Sequence, residues 1–231
     1  MVGCVYKANG LYSRLNVGAV LLAAGAGSRL GGKPKSLLEL GGVPLVMRHL
    51  IALSGAGVDE VAVVLGHHAA AIEAAIGSFP VTLVRNPVPD DGQASSVRLG
   101  LQALSPRLDA VLIALADQPL IDAQDIVALI SAFRRRGDKD LVVPLVTEAD
   151  GSAAPGNPVV LGASLRDQWL AGSGDLTGRK WREANPDRVS WLETENQHYR
   201  MDIDTPEDLQ RFEDVTGHRL VWPPALAGMA A

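Results

Sequence analysis

The sequence predicts an α/β fold, a three-layer α/β/α sandwich with a mostly parallel, Rossmann-like sheet. Three observations carry that expectation. Short apolar runs of strand length alternate with segments of helical spacing, the rhythm of a parallel sheet covered on both faces. The first run, residues 19–24 (AVLLAA), passes directly into a turn containing Gly25, Gly27, Gly31 and Gly32. Such a turn lets backbone N–H groups approach an anion closely. A later run, residues 109–116 (DAVLIALA), ends in Asp117, and a carboxylate at the C-terminal end of a buried strand faces a ligand crevice.

Composition bounds the rest. The chain has 231 residues, 47% of them apolar, enough for one sizeable core. The expected organisation is an N-terminal arm over 1–16, a single domain over 17–215 and a Pro- and Ala-rich, loose tail within 216–231. Residues 1–16 hold Lys7 and Arg14 without a sustained apolar stretch, so they do not read as a signal peptide. No apolar run reaches the length of a membrane span, so no membrane partner is expected. The net charge of −5 argues against a nucleic-acid partner. Arg134, Arg135 and Arg136 read as a helix end, where cations suit the dipole. The single cysteine, Cys4, excludes an intrachain disulfide and a Cys-based zinc site. It fits a reducing, cytoplasmic setting.

The glycine turn also carries Arg29, Lys33 and Lys35, mobile positive charge suited to phosphate. Gly27 and Gly32 have P-loop spacing, but Lys33 is followed by Pro34 where Ser or Thr is required. The dinucleotide fingerprint fails at Leu30, where it needs glycine. A plain strand-to-helix loop with incidental cations is the competing reading. The pattern L-A-A-G-x-G-x-R-x-G-G-x-x-K, residues 22–35, resembles the signature loop of nucleotidyltransferases that activate sugars, isoprenoid precursors and molybdopterin. With Ala24 it is most similar to the molybdenum cofactor cytidylyltransferase family. The resemblance implies a nucleotide-diphospho-sugar transferase fold in which Leu22, Ala23, Ala24, Gly25, Gly27 and Ser28 wrap a nucleoside triphosphate. It also implies catalytic roles for Arg29 and Lys35, with Lys35 helping to neutralise the phosphates.

The remaining elements follow in order. Residues 44–53 have helical spacing, with Leu45, His49 and Leu53 on one face, and Gly55 and Gly57 end the helix. Residues 58–65 form a strand, 69–76 an Ala-rich helix closed by Gly77, and 81–84 a third strand. After a polar loop at 86–92 comes GQASSVRLGL, a helix with Val97, Leu101 and Leu104 on one face. Ser95 and Ser96 suit capping near its start. The resemblance instead implies that Gln93, Ser95, Ser96 and Arg98 meet the nucleobase and ribose. Asp117 precedes Gln118-Pro119 and could simply form a turn. The resemblance makes it a catalytic metal ligand, holding Mg²⁺ between the phosphates. Asp122 then caps a helix through Arg136, with Ile126, Leu129, Ile130 and Phe133 on one face.

Residues 141–146 form another strand, and 148–156 read as a mobile polar loop. The segment 156–161, GNPVVL, resembles a family strand whose start borders the acceptor, which implies acceptor contacts from Gly156 and Asn157. Relatives often carry His at the middle position; Asn157 keeps hydrogen bonding and removes a titrating group. Residues 173–181 resemble the family's G-D-x-G-A-R, with Thr177 and Gly178 in place of Gly and Ala. Asp175 and Arg179 are the acceptor-binding candidates there. A short strand follows at 189–192. In residues 201–209, MDIDTPEDL, Thr205 is a helix N-cap and Pro206 fits the first turn. Asp202 and Asp204 share one face of an extended segment and alone would read as solvated turn carboxylates. The resemblance makes Asp204 the second metal ligand.

The resemblance spans about residues 17–215 and implies transfer of a nucleoside monophosphate, with CTP favoured as donor. The expected acceptor is molybdopterin, with pyrophosphate released and a molybdenum hydroxylase a possible partner. Two other readings stay open. An NAD(P)H-dependent oxidoreductase would use the glycine loop for a dinucleotide pyrophosphate but leave two strand-end carboxylates without purpose. A non-catalytic factor delivering a nucleotide cofactor would bind nucleotide without releasing pyrophosphate.

Overall fold

Hydrophobic runs and caps place the elements in a computed structural model that describes residues 14–172 and 178–227. In chain order they are β1 (Val17–Ala23), β2 (Glu39–Leu40), β3 (Val43–Pro44), α1 (Leu45–Gly55), β4 (Glu60–Leu65), α2 (Ala69–Ile76), β5 (Thr82–Arg85), α3 (Gln93–Ala103) and β6 (Ala110–Leu115). Then come α4 (Ala123–Arg135), β7 (Leu141–Thr147), β8 (Ala153–Pro155), β9 (Val159–Gly162), α5 (Ala163–Ala171), α6 (Gly178–Ala184), β10 (Val189–Thr194), α7 (Pro206–Thr216), β11 (Leu220–Val221) and α8 (Pro224–Ala227).

The main sheet runs β10-β7-β9-β6-β1-β4-β5. Neighbours are parallel except around β9, which is antiparallel to both β6 and β7. The fold is therefore the expected mostly parallel α/β sandwich with helices on both sides. Period-two alternation along β1 divides the core. Ala19, Leu21 and Ala23 pack with α1, α2 and α4 on one face, while Val20 and Leu22 pack with α3 and α5 on the other. α3 lies so close that a Cβ on Gly100 would stand 2.3 Å from Val20 Cγ1.

Register positions the crevice. Leu22 lies opposite Val64 of β4 and Leu115 of β6, so these three strands end at one level. The segments that follow them all leave from the same edge, as expected of a ligand site in an open parallel sheet.

Three local expectations change. Residues 148–156 are a hairpin: Glu148 N–H donates to Ser152 O at 2.8 Å, and β8 pairs antiparallel with β7. Its polar residues suggested a mobile loop because two-residue turns and exposed strands share that composition. Leu220–Val221 pair with β2 in a small antiparallel sheet, and Lys33 Nζ lies 5.6 Å from the Trp222 ring centroid. Residues 216–227 are thus tied to the glycine turn. The third change is α5, a further helix whose apolar face is interrupted by the buried Arg166. Among the described residues no helix is long and apolar enough to cross a membrane.

Candidate functional site

β1 ends where the glycine turn begins, and Gly27 sets the shape of that turn. Its φ is +64°, and a Cβ there would meet Lys33 O at 1.8 Å, so only glycine fits. Leu30 N–H and Gly32 N–H both donate to Gly27 O, at 2.8 and 3.0 Å. The turn returns Lys35 beneath the end of β6. Gly25 differs: nothing stands within 4 Å of where its Cβ would be. It opens onto a cavity of about 250 Å³ lined by Leu22, Ala23, Ala24, Lys35, Gln93, Ser96 and Asp117, among others.

The cations and carboxylates meet at the mouth of this cavity. Lys35 Nζ donates to Asp117 Oδ2 at 2.7 Å and also to Asp204 Oδ1. Arg29 stands 3.9 Å from the other Asp204 oxygen. Ile203 N–H donates to Asp117 O at 3.1 Å, which brings the two aspartate segments side by side. Burial works to lower the Lys35 ammonium, but Asp117 and Asp204 outweigh it and hold it above its ordinary value. Asp202, half-buried beside them, is pushed up first by burial and then by the charges of Asp117 and Asp204. Asp117 Oδ1 is buried without a hydrogen-bond partner among the described residues. Crowded carboxylates with an unmet oxygen are a donor set that fits a hard divalent cation.

Not every sequence candidate reaches this point. Ser28 and Gly27 belong to the turn but do not line the cavity. Ser95 and Ser96 do not cap α3, which has no side-chain cap. Both instead accept from Asn86 Nδ2, at 2.9 Å each, and so fasten the loop after β5. Of the two, Ser96 lines the cavity. Arg98 is turned away: it donates to Leu170 O at 3.1 Å and to Gly172 O, closing the C-terminal end of α5. Helical spacing puts Arg98 on a different side from Gln93, which motif order alone does not register.

Two further cavities lie close by. One, of about 250 Å³, shares Gln93 and Leu115 with it and brings in Gly156, Asn157, Arg179, Arg182 and Trp169. Asp175 lies outside the described residues. The other, of about 640 Å³, is strongly polar and gathers Arg29, Glu148, Asn157, Arg200, Asp202, Asp204 and Arg211, among others. Arg200, Arg211 and Glu148 escaped sequence reasoning because no local pattern distinguishes them from surface charge. In the sequence Gln118 reads only as part of a turn. His68, which meets Ala26 O at 3.0 Å and so braces the glycine turn, was also missed.

A separate group, Asp122, Asp125 and His198, comes close enough together to hold a cation. Its carboxylates already serve the protein. Asp122 accepts from Gln124 N–H and Asp125 N–H, and Asp125 accepts from Asp122 N–H and Asn196 Nδ2.

Comparison with known proteins agrees with this geometry. Residues 19–189 match the model of the MobA-like NTP transferase domain. Nicotine blue oxidoreductase from Paenarthrobacter nicotinovorans is 32% identical over 197 residues, 85% of this chain and 96% of that protein. Molybdenum cofactor guanylyltransferase from Cupriavidus metallidurans is 32% identical over 142 residues, 61% of this chain and 66% of that protein. Among solved structures, a nucleotidyl transferase from Methanothermobacter superposes with a TM-score of 0.68 and 28% identity, covering 86% of this chain and 96% of that one.

Proposed function

Because the chain belongs to the MobA-like NTP transferase family, we propose that it transfers CMP from CTP to a phosphorylated acceptor of the molybdopterin type. One observation supports this reading above the others: Asp117 and Asp204 converge on Lys35 at the mouth of the cavity behind the glycine turn. A phosphate oxygen of the acceptor attacks the α-phosphorus. The bond to the bridging oxygen breaks, and pyrophosphate leaves with the electron pair. Little acid–base chemistry is needed, so positioning and charge neutralisation dominate.

Residues 22–25 and Gln93 supply the nucleotide side, and Lys35 and Arg29 offset phosphate charge. Asp117 and Asp204 would hold Mg²⁺, with Asp202 beside them. A bound divalent ion supplies Lewis-acid stabilisation of the phosphate oxygens. Gly156, Asn157 and Arg179 line the adjoining cavity, and its half-apolar wall with Trp169 suits a flat ring system. CTP rests on the similarity of the turn containing Ala24 to cytidylyltransferase loops, while the guanylyltransferase relative makes GTP the nearest competitor.

Pyrophosphate release with CTP, GTP, ATP and UTP, each with and without molybdopterin, tests the reading. Release with CTP that requires molybdopterin and Mg²⁺ is the expected result. Asp117→Asn should slow it about 100-fold while leaving metal-free nucleotide binding unchanged. No release with any nucleotide sinks the proposal. A second reading, NAD(P)H-dependent reduction, is favoured by the similarity to nicotine blue oxidoreductase over 85% of the chain. Loss of NAD(P)H absorbance with a planar coloured acceptor, without pyrophosphate, would select it.

A further inference from the structure

Gln118 follows Asp117 at the end of β6 and is 2% exposed. Its side-chain Nε2 donates to two backbone carbonyls, Asn157 O at 3.2 Å and Tyr199 O at 3.1 Å. Carbonyl oxygens only accept, so the nitrogen must face them and the amide orientation follows from chemistry. The three residues come from segments far apart in sequence: the turn after β6, the entry to β9, and the stretch leading to Asp202 and Asp204. Asn157 N–H also donates to Tyr199 O, at 2.9 Å. The contact is close, since a Cβ on Gly156 would stand 2.5 Å from that same oxygen. Tyr199 is anchored from behind by its hydroxyl, which donates to Asp125 O at 2.9 Å.

The amide thereby fastens the Asp117 side of the site to the Asp204 side. Its own Oε1 is buried without a partner among the described residues. A buried glutamine serving only to fill space would be matched by an apolar residue of the same length, which leaves no orphan acceptor. The two donated bonds are what an apolar residue could not make.

We propose that Gln118 is a positioning residue that sets the spacing between Asp117 and the two segments bearing Asn157 and Asp204. The inference rests on the nucleotidyl-transfer reading of the site. It separates nucleotide binding, which depends on the turn after β1, from metal binding, which needs both carboxylates in register.

Gln118→Met keeps length and removes both donors; Gln118→Leu does the same with a shorter apolar side chain and adds no charge beside Asp117. Both are compared with the parent by thermal unfolding, by nucleotide titration without metal, and by Mn²⁺ titration followed by electron paramagnetic resonance. The Mn²⁺ titration uses saturating nucleoside triphosphate, the one the parent binds tightest. Folded variants should bind metal-free nucleotide within about twofold of the parent but lose about tenfold in Mn²⁺ affinity, the scale of an outer-shell loss. Variants that keep parental Mn²⁺ affinity overturn the proposal, as do variants that lose nucleotide and metal affinity by the same factor. If Gln118→Met does not fold, Gln118→Leu decides the matter on the same two affinities. Should the parent itself bind neither nucleotide nor Mn²⁺, the transfer reading fails, and that outcome is distinct from a parent that binds both and variants that match it.

Discussion

Lys35 holds the place between two carboxylates that a divalent cation would claim. A lysine ammonium is a compact point charge, so it can satisfy Asp117 and Asp204 until a stronger cation arrives. On the proposed transfer reading, a triphosphate would offer Lys35 a new partner. Removing the side chain has opposite effects on the two ligands. Lys35→Ala should raise Mn²⁺ affinity measured without nucleotide, by about tenfold, and should weaken triphosphate binding and slow transfer by about 100-fold. Mn²⁺ resonance titrations and pyrophosphate assays report the two effects separately. Unchanged values in both would remove Lys35 from the site. Lys33, nearer the glycines, would then be the next candidate, its ammonium lying 5.6 Å from the Trp222 ring centroid. Lys35 was legible because the turn that carries it is one contiguous pattern. Arg200, Arg211 and Gln118 were not, because their meaning arises from segments that only the folded sheet brings together.

At the scale of elements, the starts of α4 and α7 were clear in the sequence, while the capping expected of Ser95 and Ser96 at α3 was not realised. Asp122 and Thr205 each open a capping box as their spacing suggests, with Asp125 and Asp208 returning the bond at N3. The residues do not have equal weight. Asp122→Ala removes one cap and should cost about 1 kcal/mol. Asp125→Ala should cost more, about 2–3 kcal/mol, because Asn196 Nδ2 also loses its acceptor at 2.6 Å and Asp122 N–H loses its own. Urea unfolding midpoints of the two variants give the comparison, and equal losses would reduce Asp125 to an ordinary cap. The short strands were less legible. β2, β3 and β11 have two residues each, too few for any alternation to register. β8 lies in a stretch whose glycine and acidic residues mark the turn rather than the strand beyond it.

At the scale of the molecule, the alternation of strands and helices disclosed the sandwich, while strand order and direction stayed hidden. β9 reads VVLG, as apolar as the parallel strands of the sheet, and nothing in its composition marks it as the reversed strand. Yet that reversal places Asn157, at its start, on the edge where β1 and β6 end. Behind this edge the core holds His49, on the face of α1 that its spacing with Leu45 and Leu53 predicted. Its ring is 1% exposed, and neither nitrogen has a partner within hydrogen-bond distance among the described residues. Burial lowers its pKa to about 4, against an opposing pull from the Gln118 backbone and with a smaller downward push from the charge of Arg48. An unfolded histidine takes up its proton near pH 6.5. Between those values the unfolded chain binds more protons than the folded one, so stability falls as pH falls. The loss should approach about 1.4 kcal/mol per pH unit in that window and add nothing below it. His49→Leu removes the group while keeping an apolar side chain in place. Unfolding free energies of parent and variant, followed from about pH 7 to about pH 4.5, should show the parent declining more steeply. The remaining titratable groups titrate equally in both proteins and cancel in the difference. Parallel curves would mean that His49 is protonated alike in both states, and that the core beneath the Asp117 turn admits a charge its burial argues against.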